Sequence, residues 1–477
     1  MAQRTLPERP NVLFLMADEH RADVAGFAGN GVVRTPVLDE LARTGVVFEN
    51  AYCPSPICVP CRQSMAAGQL PRTSGVEVYG QDLPPFSMTF ARRLSQFGYD
   101  TVCCGKLHHD GPDQMQGWTR RIGSNTRVES GYIQGADKQA MAARPRRHMP
   151  YQLRDKHQWE VQNAGVGRGS HTQVPDELTL RGAELFIGNR WLDPYYDRVY
   201  TDTPTMLMIS FNRPHYPYLT REELFTYYLN RVPLHVETET FGQPFLDRFQ
   251  VKPGRDVTER EIRRATAAYY GMIEEIDTDY GTVLDRLRHA GQDPDDWVIV
   301  YTADHGEMLG EHGIWEKQKF FEASARVPLI VRYPRRFAPR RVSQNVNLCD
   351  LFATLCDLTG TPLPPDEQTV NGAGLDSRSL VPLMQGDASE WNDETVSQFG
   401  GTNLMIKRGA LKYQFYDRDD CRQQPEVLFD LARDPGERTN AIDDPAYANE
   451  VETFRKRSAS LGFGPDAEGY RNAGYGS

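Results

Sequence analysis

Asn11-Val12-Leu13-Phe14-Leu15-Met16 is an apolar run with no clean polar alternation, and a carboxylate, Asp18, stands two positions beyond it. A continuous run of this length, closed by a turn signal, reads as a strand buried on both faces, the mark of a parallel sheet covered by helices. Three further runs repeat the pattern. Residues 99–104 (YDTVCC) lead into Gly105-Lys106-Leu107-His108, residues 205–211 (TMLMISF) into Asn212-Arg213-Pro214-His215, and residues 296–302 (DWVIVYT) reach Asp304-His305-Gly306. Ligands of open parallel sheets gather beyond the carboxyl ends of the strands. Four strands that each end in carboxylate, lysine or imidazole therefore predict one shared site.

Between these strands the period becomes helical. Residues 36–45 (PVLDELARTG) read as a short amphipathic helix with a glycine stop. Residues 258–290 read as a long helix, with Ile262, Ala265, Tyr269, Ile273, Ile276, Tyr280, Leu284 and Leu287 at helical spacing. Residues 348–360 read as a third, with Cys349 and Cys356 off or beside its apolar stripe. This alternation predicts an α/β fold built on a large, mostly parallel sheet flanked by helices. After about residue 390 come short strand-like runs at 395–399, 403–407, 411–416 and 427–431, with Arg408-Gly409 as a hairpin turn and a closing helix at 445–460. The expected division is a catalytic domain over residues 1–385 and a smaller subdomain, antiparallel sheet plus helix, over 386–477. The Gly- and Tyr-rich tail reads either as a disordered end or as an arm onto a neighbouring subunit, which would make a homo-oligomer.

Composition narrows the partners. A formal net charge of -11 and a pI near 5.6 argue against nucleic acid or an anionic membrane surface. No segment approaches the roughly 20 apolar residues of a spanning helix. The opening MAQRTLPERP has no apolar signal-peptide region, and the eight cysteines show no secreted-scaffold spacing, so a reducing, cytoplasmic location is expected. Residues 118–175 are rich in Arg, Gln and Gly, and their basic patch, Arg144, Arg146, Arg147 and His148, reads as a solvated face.

Cys58-Val59-Pro60-Cys61-Arg62 opens a helix-like run over residues 63–67 that stops at Gly68. Taken alone, C-x-x-C with an internal proline suits a thioredoxin-like redox centre. In company it resembles something else. ADEHR at 17–21, CVPCR at 58–62, GKLH at 105–108, PHYP at 214–217, TADHG at 302–306 and the lysine-bearing stretch at 315–331 stand in the order shown by type I sulfatases of the alkaline phosphatase superfamily. The chain is identified on these motifs as resembling that family over nearly its whole length.

The resemblance implies a hydrolase of sulfate esters in which a formylglycine-generating enzyme oxidises Cys58 to formylglycine. It implies Asp18, modified Cys58, Asp304 and His305 as ligands of one divalent cation, and Lys106 and Lys317 on the sulfate oxygens, with Lys319 the alternative for the second lysine. Arg62 would add positive charge, His215 would protonate the departing oxygen and His108 would serve as base. A site of hard oxygens with one imidazole suits manganese or calcium. Glu19 stands where the family usually has Asp or Gln, so it is read as a supporting group. The segment at 111–118 (GPDQMQGW) resembles choline-sulfatase-like members, implying a small organic sulfate as substrate.

Two other departures keep alternatives open. Cys61 replaces a usual Ser, and a Cys58–Cys61 disulfide would block formylglycine formation. Tyr79 stands where several relatives have Asn after the nucleophile helix. Phosphonate monoester and phosphodiester hydrolases share the nucleophile, metal site and leaving-group histidine, but generally lack the Lys and His of GKLH. A silent relative would lose ligands or nucleophile. Each residue also has a plain reading, since an Asp after a strand is ordinarily a turn or cap and a lone His is ordinarily satisfied locally. The joint order of the motifs is what argues against it.

Overall fold

The computed structural model describes residues 9–123, 158–192, 202–236, 250–416 and 424–464. The basic patch at 144–148 and the tail beyond 464 lie outside the described residues. In chain order the strands are β1 (Asn11–Asp18), β2 (Val46–Tyr52), β3 (Asp100–Gly105), β4 (Arg120–Ile122), β5 (Gly165–Val166), β6 (Thr205–Pro214), β7 (Leu219–Thr220), β8 (Trp297–Ala303), β9 (Arg326–Val327), β10 (Leu329–Arg332), β11 (Arg340–Asn347), β12 (Glu394–Phe399), β13 (Asn403–Arg408), β14 (Leu411–Tyr416) and β15 (Glu426–Asp430). The large sheet runs β11-β2-β10-β8-β1-β6-β3-β4, with β9 on β2, while β5 and β7 make a separate ribbon. Its centre, β8-β1-β6-β3-β4, is wholly parallel, and β10 enters antiparallel between β8 and β2.

The unbroken apolar runs now have their reason. Along β1, Val12, Phe14 and Met16 enter one core while Leu13, Leu15 and Ala17 enter the other, so no position is free to be polar. The second core is closed by the helices Pro36–Thr44, Gln173–Trp191 and Glu259–His289. The first is closed by Cys58–Ala67, Phe90–Gln96 and Leu351–Thr359.

The long helix starts at a capping box, in which Thr258 Oγ1 accepts from Glu261 N and Glu261 Oε2 accepts from Thr258 N. All eight apolar residues named for it are buried. The helix Cys58–Ala67 begins at Cys58 itself, earlier than the run at 63–67, because Pro60 falls in the first turn where its missing N–H costs nothing. Gly68 ends it in the left-handed conformation, φ 65°. One expectation fails. Cys349 and Cys356 are both 1% exposed and pack in the core. Of the helix Leu351–Thr359 only Asp357 is exposed, so it has no polar face for a stripe to contrast with.

Beyond Glu394 the chain forms the antiparallel sheet β12-β13-β14-β15, and the helix Ala448–Ser460 packs on it through Val451 and Phe454. The two sheets share a buried charge cluster. Lys412 on β14 lies 2.9 Å from Glu322 and 2.8 Å from Glu437.

Candidate active site

Register brings the strand ends together. Ala17 pairs with Ala303, Asp18 with Pro214 and Gly105 with Ser210, so the residues that follow β1, β8, β6 and β3 emerge at one edge. The helix Cys58–Ala67 points its first residue at that edge. Asp18, Cys58, Asp304 and His305 offer ligand atoms all within 4.8 Å of one another, and all four residues are buried.

The donor set suits a cation. Asp18 Oδ1 is buried with no hydrogen-bond partner. Its Oδ2 is 2.5 Å from Lys106 Nζ and 3.2 Å from Arg62 Nη2. Asp304 Oδ1 accepts from the backbone N–H of Glu19 at 3.1 Å and of His305 at 3.0 Å, while its Oδ2 accepts from Arg62 Nε at 2.7 Å. His305 donates Nδ1–H to the Gly306 carbonyl at 3.0 Å, which leaves the Nε2 lone pair facing inward, 3.5 Å from Cys58 Sγ. Burial works against charge on Asp18, but Lys106, His215, Arg62 and His305 hold its carboxyl well below the usual range.

Arg62 lies behind this cluster. Besides the two aspartates it donates to Lys106 O and Ser210 Oγ, each at 2.9 Å. Its fork is spent on orienting the carboxylates and the turn that carries Lys106.

On the other side, Lys317 Nζ donates to Glu19 Oε2 and to His215 Nε2, both at 2.8 Å, and stands 5.0 Å from the centre of the Tyr216 ring. Burial opposes its charge, yet Glu19 raises the Lys317 pKa well above that of a free lysine. His215 donates Nδ1–H to Tyr216 O at 2.7 Å, and burial together with Lys317 pushes its pKa well below the ordinary value. His108 is buried, and Tyr79 Oη lies 3.2 Å from its Nε2. Burial and then Lys106 push its pKa down as well.

The two cysteines of the C-x-x-C part company. Cys61 Sγ donates to Asp304 O at 2.7 Å, while Cys58 faces His305, and both are free thiols. Burial, reinforced by Asp18, pushes the Cys58 thiol up to about 11, and burial also raises Cys61. A redox pair needs a depressed thiol, and here the helix start is overruled by desolvation.

Of the sequence-nominated residues, Asp18, Cys58, Arg62, Lys106, His215, Asp304, His305 and Lys317 belong to this cluster or touch a member of it, and His108, bonded to Tyr79, lies near enough to feel the charge of Lys106 and Arg62. Asn212 and Arg213 of the third strand end do not. Asn212 bonds Asp176, and Arg213 bonds Asp176, Glu275 and Asp279, which anchors the strand end to the helices behind it. Ser210 and Tyr216 were not nominated. Ser210 lies inside an apolar run, where a hydroxyl carries no pattern, whereas Tyr216 could have been suspected from its place beside His215.

The family model described as Sulfatase matches residues 10–361. The chain belongs to the sulfatase family. A second model, N-sulphoglucosamine sulphohydrolase, C-terminal, matches residues 310–461 of this sulfatase. A choline-sulfatase of Rhizobium meliloti (strain 1021) is 30% identical over 92% of this chain and 83% of its own length. An arylsulfatase of Clostridium perfringens is 27% identical over 94% and 93%. Among solved structures, a phosphonate monoester hydrolase of Agrobacterium radiobacter superimposes with TM-score 0.70 at 25% identity, over 95% of each chain. A protein solved with its substrate D-glucosamine-2-N,6-O-disulfate gives TM-score 0.71 at 19% identity, over 96% of this chain and 99% of that one, a likeness of fold. This sulfatase is an enzyme that hydrolyses sulfate esters.

Proposed function

We propose that the sulfatase acts on the sulfate ester of a small organic molecule through a formylglycine made from Cys58, with one divalent cation, manganese or calcium, held by Asp18, Asp304, His305 and the modified side chain. The observation that carries this reading is the convergence of those four side chains around the orphaned Asp18 Oδ1. A thiol with its pKa pushed up to about 11 holds almost no thiolate near neutrality, so Cys58 suits the chemistry better once converted. When present, the cation supplies Lewis-acid polarisation of a sulfate oxygen and the hydrated aldehyde supplies an oxygen nucleophile.

The chain's own residues supply the rest. Lys106 and Lys317 bind the anion's oxygens, neutralising charge that a loose transition state spreads over them. Arg62 fixes the two aspartates. The proton for the departing oxygen is held between Lys317 Nζ and His215 Nε2, 2.8 Å apart, because neutral His215 already commits Nδ1–H to Tyr216 O. On attack, His215 Nε2 receives that proton from Lys317 Nζ and passes it to the departing oxygen, and Lys317 is reprotonated from solvent once sulfate has left. His108 takes up a proton on the opposite side.

The remaining readings belong with these: a formylglycine-generating enzyme as partner, a cytoplasmic location, a homo-oligomer, and the division into domains at residues 385 and 386. The phosphonate-hydrolase alternative is disfavoured by Lys106, whose Nζ contacts Asp18 where those enzymes generally have neither Lys nor His.

The test is the mass of tryptic peptide 44–62 from protein made with and without a formylglycine-generating enzyme, read with rates on matched sulfate, phosphonate monoester and phosphodiester substrates. Conversion of Cys58 with gain of sulfate-ester hydrolysis is expected. An unconverted thiol in an equally active enzyme, or a preference for the phosphonate, would overturn the proposal.

A further inference from the structure

We propose that Tyr79 is a positioning residue for His108, accepting its ring proton at Nε2 so that the lone pair stands on Nδ1. What His108 does rests on the reading above; how it is held does not. His108 has φ 62°, a conformation non-glycine residues rarely adopt, in a turn without helix or strand. The turn leaves β3 through Gly105, where a Cβ would lie 2.2 Å from Ser210 O, so the backbone is pinned there.

The loop before Leu83 reaches the imidazole itself. Tyr79 Oη is 3.2 Å from His108 Nε2, and the two rings meet edge to face at 5.4 Å and 82°. That loop is itself braced. Gln81 Oε1 accepts from Glu77 N at 2.7 Å and Val78 N at 3.0 Å. Asp82 accepts from Gly111 N and, at 2.9 Å, from Gln116 Nε2, which also reaches Gln63 on the nucleophile helix at 3.1 Å. Tyr79, the His108 turn and the Cys58 helix are thus one hydrogen-bonded unit.

His108 Nδ1 is shielded from solvent, whereas Tyr79 is 48% exposed. A ring that takes a proton at Nδ1 must carry its own on Nε2, and the tautomer is set by whatever partner Nε2 meets. The Tyr79 oxygen accepts that Nε2–H across the 3.2 Å contact.

Tyr79→Phe keeps the edge-to-face ring and removes only the oxygen, at a half-exposed position where the fold does not depend on it. In 15N-histidine-labelled, unmodified protein the His108 ring signals, assigned by their loss in His108→Ala, are expected to show one tautomer protonated at Nε2, and in Tyr79→Phe an averaged pair. In protein co-produced with a formylglycine-generating enzyme, kcat is expected to fall about 3- to 10-fold, the scale of one hydrogen bond, with KM within about twofold. Tyr79→Phe added to His108→Ala is expected to cost nothing more. Identical ring signals in parent and Tyr79→Phe, a ring protonated at Nδ1 in the parent, or a full extra loss in the double variant would overturn the proposal. Failure of the sulfate-ester reading would look different, since no variant would turn over a sulfate ester while the ring signals still changed.

Discussion

Replacing Arg62 by Lys tests whether the cation site is preorganised from behind. The guanidinium makes two bonds to carboxylates, Nε to Asp304 Oδ2 at 2.7 Å and Nη2 to Asp18 Oδ2 at 3.2 Å, and so turns both Oδ1 atoms toward His305, whose Nε2 lies 3.6 Å from Asp304 Oδ1 and 4.0 Å from Asp18 Oδ1. Lysine keeps the charge but not the fork, and one ammonium at the end of a flexible stem cannot reproduce both directions. At least one charge-assisted bond is lost, worth about 1.5–3 kcal/mol. At about 1.4 kcal/mol per tenfold, the cation should bind about 10- to 100-fold more weakly, the range typical when a group orienting a metal ligand is removed. The assay is calorimetric titration of Mn2+ or Ca2+ into metal-stripped Cys58→Ser protein with and without R62K, which reads binding apart from turnover. Affinity within twofold of the parent would refute the argument. Arg62→Ala should fail in another way, since it leaves two buried carboxylates short of counter-charge and should cost about 3–5 kcal/mol of stability in a denaturant titration.

Other consequences can be measured as directly. Gly68→Ala places a Cβ 2.7 Å from Phe352 Cβ at φ 65°, so a loss of about 1–3 kcal/mol is expected, and an unchanged melting temperature would contradict it. Lys407 is buried on β13, and burial lowers its pKa from 10.5 to about 8. The unfolded chain therefore binds more protons between those values, and stability should rise as pH goes from about 8 to 10.5. Lys407→Met should flatten that rise in melting temperatures taken across the window; an identical slope would locate it elsewhere. Metal-stripped protein supplied with cation at 100 times its dissociation constant should gain about 2.7 kcal/mol, and Asp304→Ala none. Unmodified Cys58, buried and with its pKa raised to about 11, should resist iodoacetamide near pH 7.5 in a mass-spectrometric assay, and labelling as fast as an unfolded peptide would count against both.

The sequence was most legible where a single constraint acts. Strands buried on both faces admit only apolar residues, so β1, β3, β6 and β8 could be found from their runs, and the capping box and apolar period of Glu259–His289 mark that helix as plainly. Asp18, Lys106, His108, His215, Asp304 and His305 stand at or just beyond strand ends and Cys58 opens a helix, whereas Lys317 lies in an irregular stretch and was nominated only through the family resemblance. Less legible were groups whose meaning depends on a distant partner. Arg62 was read as charge for the anion, and only its bonds to Asp304, Asp18, Lys106 O and Ser210 turn it into a brace. Arg213 sits in the same kind of strand-end motif as Lys106, yet Asp176, Glu275 and Asp279 draw it away from the site. Cys356 was misplaced because a helix covered on nearly all sides has no stripe to read, and Cys349 because it lies in the 3-10 turn before that helix and packs into a different core.

The seal over Cys58 also sets a clock. The thiol is 3% exposed in the finished fold, and one of the side chains facing it, His305, is encoded 247 residues later. At about 5–20 residues per second of synthesis, roughly 12–50 s pass between the appearance of Cys58 and that of His305. An enzyme that oxidises this cysteine, as proposed above, would have that interval, while β8 and the lysine stretch behind it do not yet exist, in which to reach an open chain. Slowing synthesis between residues 58 and 305 should then raise the converted fraction, and denatured, refolding chains should be modified where native ones are not.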